Sequence, residues 1–294
     1  VEQLPAHALE DVACNLCGGT ITEPFKHKAG MQIVRCLACG LVYVNPRLTP
    51  KALHGHYNSD QSSRTQYYRD VECADRKTFN EILDTVDRFF PARGTLLDVG
   101  PNIGTCLDVA RSRGWEVTGI EINEDAAEYC RTERGLNVVS GIPRPSTFPP
   151  GSFDVVLMGD VIEHLPDPTE TMRIVRHVLK PGGAVFISTP DIDGWAGRLL
   201  QIKPLEHLYY FSPLTIANLL TKVGLELDEV GPLDRYHNIT AMTHSTTFGG
   251  LFRLVGPVFR MMHFVAGDVV ARLPLRENLL AVARKPAVSA VKAA

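Results

Sequence analysis

The stretch Leu96–Gly104, "LLDVGPNIG", decides how this chain is read. An apolar run ends in an acid, then a glycine, then a short turn with Asn102 between Gly100 and Gly104. That order fits a strand, a tight turn and a helix N-terminus, where bare backbone approaches a ligand and free N–H groups satisfy its polar atoms. The dinucleotide pattern GxGxxG is not met, because the spacing is Gly100-x-x-x-Gly104. Asn102 tolerates left-handed φ better than most side chains, so the turn does not need a middle glycine. Glu121 ends the next strand-like run, 21 residues after Gly100, where a carboxylate can accept hydrogen bonds from a ribose. The plain alternative is a tight turn beside a solvated acid.

Outward from this turn the chain alternates. Strand-like runs are "TLLDVG", "WEVTGIE", "LNVVSG", "FDVVLMG" and "GAVFISTP"; helix-like runs are "GTCLDVARSRG", "NEDAAEYCRTERG" and "DPTETMRIVRHVL". Such alternation predicts an α/β fold with a doubly wound, mostly parallel sheet. A further helix, "SPLTIANLLTKVG", carries Ser212 as N-cap and Pro213 at its first position. "LELDEVGPL" and "ENLLAVARK" read as two last strands. Between them, at about 245–274, lies an apolar insertion with a stripe through Phe252, Val255, Phe259 and Met262. A pocket cover, a second subunit in a homodimer and a peripheral membrane surface are the three partners that suit the stripe.

Upstream, "ADRKTFNEILDTVDRFF" spaces Phe79, Ile82, Leu83 and Val86 as a helix does, and "PARG" ends it. The polar segment before it holds Tyr57, Tyr67 and Tyr68 and is read as a lid. The expected organisation is a ribbon over 10–47, a lid or linker with the first helix over 48–92, and the main domain over 93–287.

The ribbon rests on cysteine spacing. "CNLCGG" (Cys14, Cys17) and "CLACGL" (Cys36, Cys39) are two CxxC knuckles with 18 residues between them. Four thiolates suit tetrahedral Zn2+ and leave no open coordination position, so the metal is expected to be structural. So small a ribbon is expected to draw most of its folding energy from that metal. Metal thiols in place of a disulfide framework point to a reducing, cytoplasmic location. Net charge is −3, and residues 1–60 carry five basic and five acidic residues, which argues against a nucleic-acid surface. No apolar run is long enough for a transmembrane helix, and the N-terminus lacks the pattern of a secretory signal.

Together, "LLDVGPNIG", "VTGIEIN", "GSFDVVLMGDVIEHL", "VLKPGGAVFISTP" and the closing strands resemble the class I S-adenosylmethionine-dependent methyltransferases over roughly residues 80–285. The knuckles followed by "LVYVNPR" resemble members with an N-terminal zinc ribbon, including C-methyltransferases of nucleotide-linked deoxysugars. The resemblance implies a seven-stranded sheet of order 3-2-1-4-5-7-6 with the last strand antiparallel. It implies S-adenosyl-L-methionine as cofactor, with Asp98, Gly100, Asn102 and Gly104 around its methionine part. Glu121 would meet the ribose, and Ile142, Gly159 and Asp160 stand at the cofactor-facing ends of strands three and four; Ile122 joins this cofactor set, and Tyr68 does so through the lid. Asn102 stands where relatives have a glycine and Ile142 where many have an acid.

Glu163 and His164 follow the fourth strand of the sheet, on the ligand side of an open α/β sheet. Histidine suits proton removal near neutral pH. The resembled sugar enzymes use this Glu-His pair for proton chemistry; the bland reading is a helix start that merely packs. His207, in "EHLYYFSP", is a second candidate. Tyr209 and Tyr210 line a pocket or belong to the core. The expected activity is methyl transfer to a small-molecule acceptor, with oxygen of a sugar, glycolipid or secondary metabolite favoured because no further domain follows the last strand. The competing readings are C-methylation of a nucleotide-linked deoxysugar, RNA methylation, an NAD-dependent nucleotide-sugar enzyme, and a non-catalytic binder.

Overall fold

The computed structural model describes residues 8–53, 61–238 and 269–287, with backbone alone for 61–65. Tyr57 and the insertion residues Phe252, Val255, Phe259 and Met262 lie outside the described residues. The N-terminal part supplies β1 (Leu9–Glu10), β2 (Thr22–Lys28), β3 (Met31–Cys36), β4 (Val42–Val44) and β5 (Arg47–Leu48). Then come α1 (Gln61–Phe89), β6 (Thr95–Val99), α2 (Thr105–Ser112), β7 (Glu116–Glu121), α3 (Glu124–Thr132), β8 (Val138–Ser140) and β9 (Phe153–Gly159). A short 3-10 turn (Ile162–His164) leads to α4 (Pro168–Val178), β10 (Leu179–Pro190), α5 (Trp195–Leu200) and β11 (Tyr209–Tyr210). Helix α6 (Pro213–Lys222) and the hairpin arms β12 (Glu226–Asn238) and β13 (Val270–Arg284) complete the chain.

The main sheet has seven strands in the order β12-β13-β10-β9-β6-β7-β8. The pairs β6–β7, β7–β8, β6–β9 and β9–β10 are parallel, and β13 runs antiparallel to both its neighbours. This is the expected 3-2-1-4-5-7-6 order. Successive residues of a strand face opposite sides, and that period divides the core. Leu96, Val155, Leu157 and Phe186 pack with Leu83 and Val86 of α1, Leu107 of α2 and Cys130 of α3. Leu97, Val156, Met158 and Ile187 face the other way, onto Met172 and Val175 of α4 and Ile216 and Leu220 of α6. Because both faces are covered, the central strands read as unbroken apolar runs.

The helix ends follow local chemistry. Asn123 accepts from Ala126 N and Asp167 from Glu170 N, each closing an open backbone donor at a helix start. Ser212 and Thr215 form a reciprocal capping box ahead of α6.

Four features refine or correct the expectations. The polar segment holding Tyr67 and Tyr68 is helical from Gln61 onward and continuous with the following helix, because no proline or glycine interrupts 61–89. The last two strands are longer than read, reaching Asn238 and starting at Val270, so β13 takes the final residues assigned to the insertion. Their outer arms carry polar residues and pair only with each other, which hides them from an apolar pattern. Glu163 and His164 form their own short turn, and the next helix is capped by Asp167 instead. Finally, the ribbon, expected to stand as a small unit with little core, shares the core of the main domain. Strand β11 pairs with β4 and completes a four-stranded sheet of order β11-β4-β3-β2. Cys14, Leu16, Cys36 and Tyr43 belong to the same apolar cluster as Val156 and Ile187.

Candidate functional site

The turn after β6 is held by backbone geometry. Gly100 and Gly104 have φ of 74° and 79°, and Asn102 has φ of 51°. A Cβ at Gly104 would fall 2.6 Å from Leu136 Cδ1 and 2.9 Å from Cys130 Sγ, so only glycine fits there. Asn102 accepts the left-handed conformation, as the sequence suggested, and its carbonyl takes a hydrogen bond from the Cys130 thiol at 3.1 Å.

Glu121 ends β7 against this turn. Asn102 N donates to its Oε2 at 2.8 Å and Asn123 N to its Oε1 at 2.8 Å. The carboxylate is buried, and burial pushes its pKa up in spite of these backbone donors. Asp98, on the neighbouring strand, is buried too; desolvation, then the charge of Glu121, pushes it up to about 8. Two adjacent buried carboxyls form a place where hydroxyls or a cationic group would be stabilised. Ile122 and Ile142 are exposed beside them, 60% and 48%, an apolar pair unexplained by packing. Tyr68, on α1, faces the same region: burial, then the charges of Asp75, Asp160 and Glu121, raise its phenol.

Asp160 follows β9 with φ of 53°. Its carboxylate is already engaged. Arg235 of β12 donates to Oδ2, and Asn278 of β13 donates to Oδ1 at 2.6 Å. Arg235 also reaches Asp75 of α1 at 3.2 Å. This Asp75–Arg235–Asp160–Asn278 chain was missed in the sequence. Arg235 lies on an arm that reads as polar loop, and nothing local ties it to residue 160. The Gly159 backbone lies alongside, its missing Cβ 3.3 Å from Phe79.

Glu163, His164 and His207 are brought together. Glu163 is 1% exposed; Thr189 Oγ1 donates to its Oε2 at 2.9 Å. Desolvation, then the charge of Asp160, raises this carboxyl to about 8. His164 Nδ1 lies 2.9 Å from the Glu206 carbonyl oxygen, and its Nε2 lies 3.9 Å from Glu163 Oε1. The His164 and His207 rings meet edge to face with centroids 4.7 Å apart. Burial lowers the pKa of both imidazoles, so both are neutral at pH 7. Leu208 N donates to the Glu163 carbonyl at 2.8 Å, which fixes the His207 segment against the turn after β9. Thr189 is a second member that the sequence did not single out. Tyr209 and Tyr210 are both buried in β11 and belong to the core.

The four knuckle cysteines converge as well. Cys14 Sγ and Cys39 Sγ are 3.5 Å apart, Cys17 Sγ and Cys36 Sγ 3.4 Å, and all four sulfurs lie within 4.8 Å of one another. Gly18 and Gly40, each just past a knuckle, have φ of 77° and 78°. The knuckle is tied to the main sheet's helices: Thr169 N donates to Asn15 Oδ1 at 2.9 Å, and Lys222 Nζ to the Leu16 carbonyl at 2.6 Å. Among the described residues no helix is long and apolar enough to cross a membrane.

Comparison with known proteins agrees with this geometry. The methyltransferase-domain family matches residues 74–230. A ubiquinone biosynthesis O-methyltransferase of Saccharophagus degradans is 30% identical over 179 residues, covering 53% of this chain and 76% of that protein. The protein of that name from Azoarcus sp. is 36% identical over 197 residues, covering 57% and 84%. Among solved structures, a SAM-dependent methyltransferase from Archaeoglobus fulgidus superposes with a TM-score of 0.51 at 19% identity, covering 71% of this chain and 94% of that one. The match spans the glycine turn, the Glu121 strand and the Glu163-His164 turn, and the sheet order is the one this fold requires. The chain belongs to the methyltransferase-domain family and is a class I S-adenosylmethionine-dependent methyltransferase.

Proposed function

We propose that the chain transfers a methyl group to a hydroxyl oxygen of a small-molecule acceptor, of the sugar, glycolipid or secondary-metabolite type. The observation that carries this reading is the Glu163–His164–His207 cluster, gathered beyond the carboxyl end of β9 on the same edge as the Glu121 turn. The relatives named as O-methyltransferases support oxygen as the acceptor atom.

When bound, S-adenosylmethionine supplies an electrophilic methyl group on a sulfonium. The residues fit such a ligand: Asp98 and Glu121 are adjacent buried carboxyls whose pKa burial pushes up, and the Gly100–Gly104 turn keeps side chains away. Asp98 and the turn hold the methionine part, Glu121 the ribose, and Ile122 and Ile142 flank the adenine. Tyr68 closes over them from α1. Asp160 acts by positioning, since Arg235 and Asn278 occupy its oxygens. The cluster meets the acceptor hydroxyl and promotes loss of its proton, with neutral His164 presenting the Nε2 lone pair. Orientation of the acceptor supplies much of the rate.

The four cysteines hold a structural Zn2+, their donor set being the one that tetrahedral zinc takes. Thiols kept for metal suit a cytoplasmic setting. The test is calorimetry with S-adenosylmethionine followed by product assay. Wild type should bind and release S-adenosylhomocysteine with an acceptor. His164→Ala should keep cofactor affinity and lose turnover by about 100-fold or more; unchanged turnover removes the cluster from the reaction.

A further inference from the structure

The last hairpin carries an irregularity that the proposed reaction does not use. Leu233 pairs with Asn278 and Arg235 with Leu273, so residues 274–277 of β13 face the single residue Asp234 of β12. A bulge of this kind re-aims the side chains around it. Arg276 takes a left-handed φ of 48° within it, a conformation that a long side chain keeps only where its surroundings hold it. Helix α5 supplies the hold. A Cβ at Gly194 would fall 2.4 Å from the Arg276 carbonyl oxygen, and one at Gly197 3.0 Å from that of Glu277, so bare backbone packs against the bulge.

The bulge delivers Glu277 and Asn278, 3% and 1% exposed. Gln201 Nε2 donates to Glu277 Oε2 at 3.0 Å. Glu277 Oε1 lies 2.7 Å from His237 Nε2 but off the direction of the ring N–H, so neither atom has a hydrogen bond. Asn278 Nδ2 donates to Asp160 Oδ1 at 2.6 Å, which fixes the orientation of the amide, because the reverse would set two acceptors face to face. Asn278 Oδ1 is left buried and without a partner. Two buried acceptor oxygens on successive residues therefore favour a ligand that brings donors.

Charge and shape narrow the class of that ligand. Asp75, Asp160 and Glu277 meet one guanidinium, Arg235, and one imidazole, His237, so negative charge exceeds positive even with the imidazole protonated. Tyr67 of α1 keeps 56% of its surface exposed, while desolvation of its hydroxyl end, then the charges of Asp75, Arg235, Glu277 and Asp160, act on the phenol. An open aromatic ring thus borders the same cluster. An ammonium group answers all three features, with three N–H donors, a positive charge and affinity for an aromatic face. A neutral hydroxyl brings one donor and no charge.

We propose that Glu277, Asn278 and Tyr67 form a subsite for a protonated amine carried by the acceptor, which makes the substrate an amino alcohol. This inference rests on the proposed methyl transfer to an acceptor hydroxyl. Asp160 links the two places: it follows β9, as Glu163 does, and it bonds Asn278 of β13. Only β10 separates β9 from β13, so hydroxyl and ammonium stand one or two strand spacings apart, about 5–10 Å, the span of a sugar-sized molecule. The protonated nitrogen has no lone pair, so it is gripped and not methylated.

The test uses the full chain with its ribbon zinc loaded, saturated with S-adenosylhomocysteine at mildly acidic pH. Glucosamine, galactosamine and serinol are each titrated beside their neutral counterparts glucose, galactose and glycerol, with binding read by saturation-transfer NMR. At least one amine is expected to bind about 10-fold or more tightly than its counterpart, as a charge-assisted bond allows. Glu277→Gln should abolish that preference and leave S-adenosylhomocysteine affinity as in wild type. Should Glu277→Gln fail to fold by circular dichroism, Tyr67→Ala, at an exposed position, should weaken amine binding about 3-fold or more. Equal binding within every pair, no binding of any amine, or a preference that survives the substitutions overturns the proposal in favour of water filling the bulge. Efficient methyl transfer to a neutral polyol, unchanged in Glu277→Gln, also overturns it and leaves the methyltransferase reading intact. Amine binding without methyl transfer to any amine-bearing hydroxyl compound keeps the subsite and removes the reading on which its role rests.

Discussion

Glu121 does two jobs with one carboxylate. It braces the turn through Asn102 N and Asn123 N, and in the proposed function it accepts from the cofactor's ribose. Glu121→Gln swaps one acceptor oxygen for an amide that confronts a backbone N–H. Calorimetry should show S-adenosylmethionine affinity falling by about 10- to 100-fold with the fold retained; unchanged affinity would take Glu121 out of the cofactor site. Asn102→Leu should cost about 1 kcal/mol in denaturant unfolding, because a branched side chain strains φ of 51°. Both residues were legible in the sequence, since strand, turn and acid lie within one βα unit at fixed spacing. Asp160 was legible only as a position. That Arg235 and Asn278 consume its oxygens depends on two distant strands, which no local pattern encodes.

At the scale of elements, the strands and helices around the glycine turn lie within about four residues of their apolar runs, because buried parallel strands are unbroken apolar runs. Helix α1 begins earlier than its apolar spacing indicates, because its first turns are polar. Strand ends carry their own chemistry. Asp154 of β9 accepts from Thr95 N at 2.8 Å, from Thr95 Oγ1 at 2.9 Å and from Lys180 Nζ at 2.7 Å, tying β6 and β10 to the strand between them. Burial alone would raise this carboxyl, but the bonds from Lys180 and Thr95 outweigh it and leave the pKa below its usual value. The folded state thus favours the ionised form. Its contribution is fully present above the unfolded carboxylate value of about 3.9 and is lost as pH falls through the lower folded value. Asp154→Asn should lower stability by about 1–2 kcal/mol at pH 7, mostly through the Thr95 donors. The gap between variant and wild type should close in urea titrations below pH 3; a constant gap would mean the charge plays no part.

For the whole molecule, the question is whether the ribbon is an appendage or a part of the enzyme. Read from sequence, two knuckles and little else suggested a separate unit held by its metal. The structure joins the two halves by a shared sheet through β11, a shared apolar cluster and the ties from Asn15 and Leu16 to α4 and α6. Such pairing is long-range; Tyr209 and Tyr43 meet across most of the chain, so spacing within "EHLYYFSP" could not announce it. Strand β11 begins two residues after His207, so the ribbon also buttresses the segment that delivers this histidine. Zinc bound at the four cysteines would then stabilise the molecule as one cooperative body. Removing it, or replacing Cys36 by Ser, should cost about 3 kcal/mol or more, lowering the midpoint of a single calorimetric transition by roughly 6–12 °C. Methyl transfer should fall more than cofactor affinity, because the glycine turn packs with α2 and α3 while the ribbon packs on the opposite face of the sheet. Two resolved transitions, the upper one unmoved by zinc removal, would show that the ribbon folds apart from the catalytic sheet and that the shared core carries little of the stability.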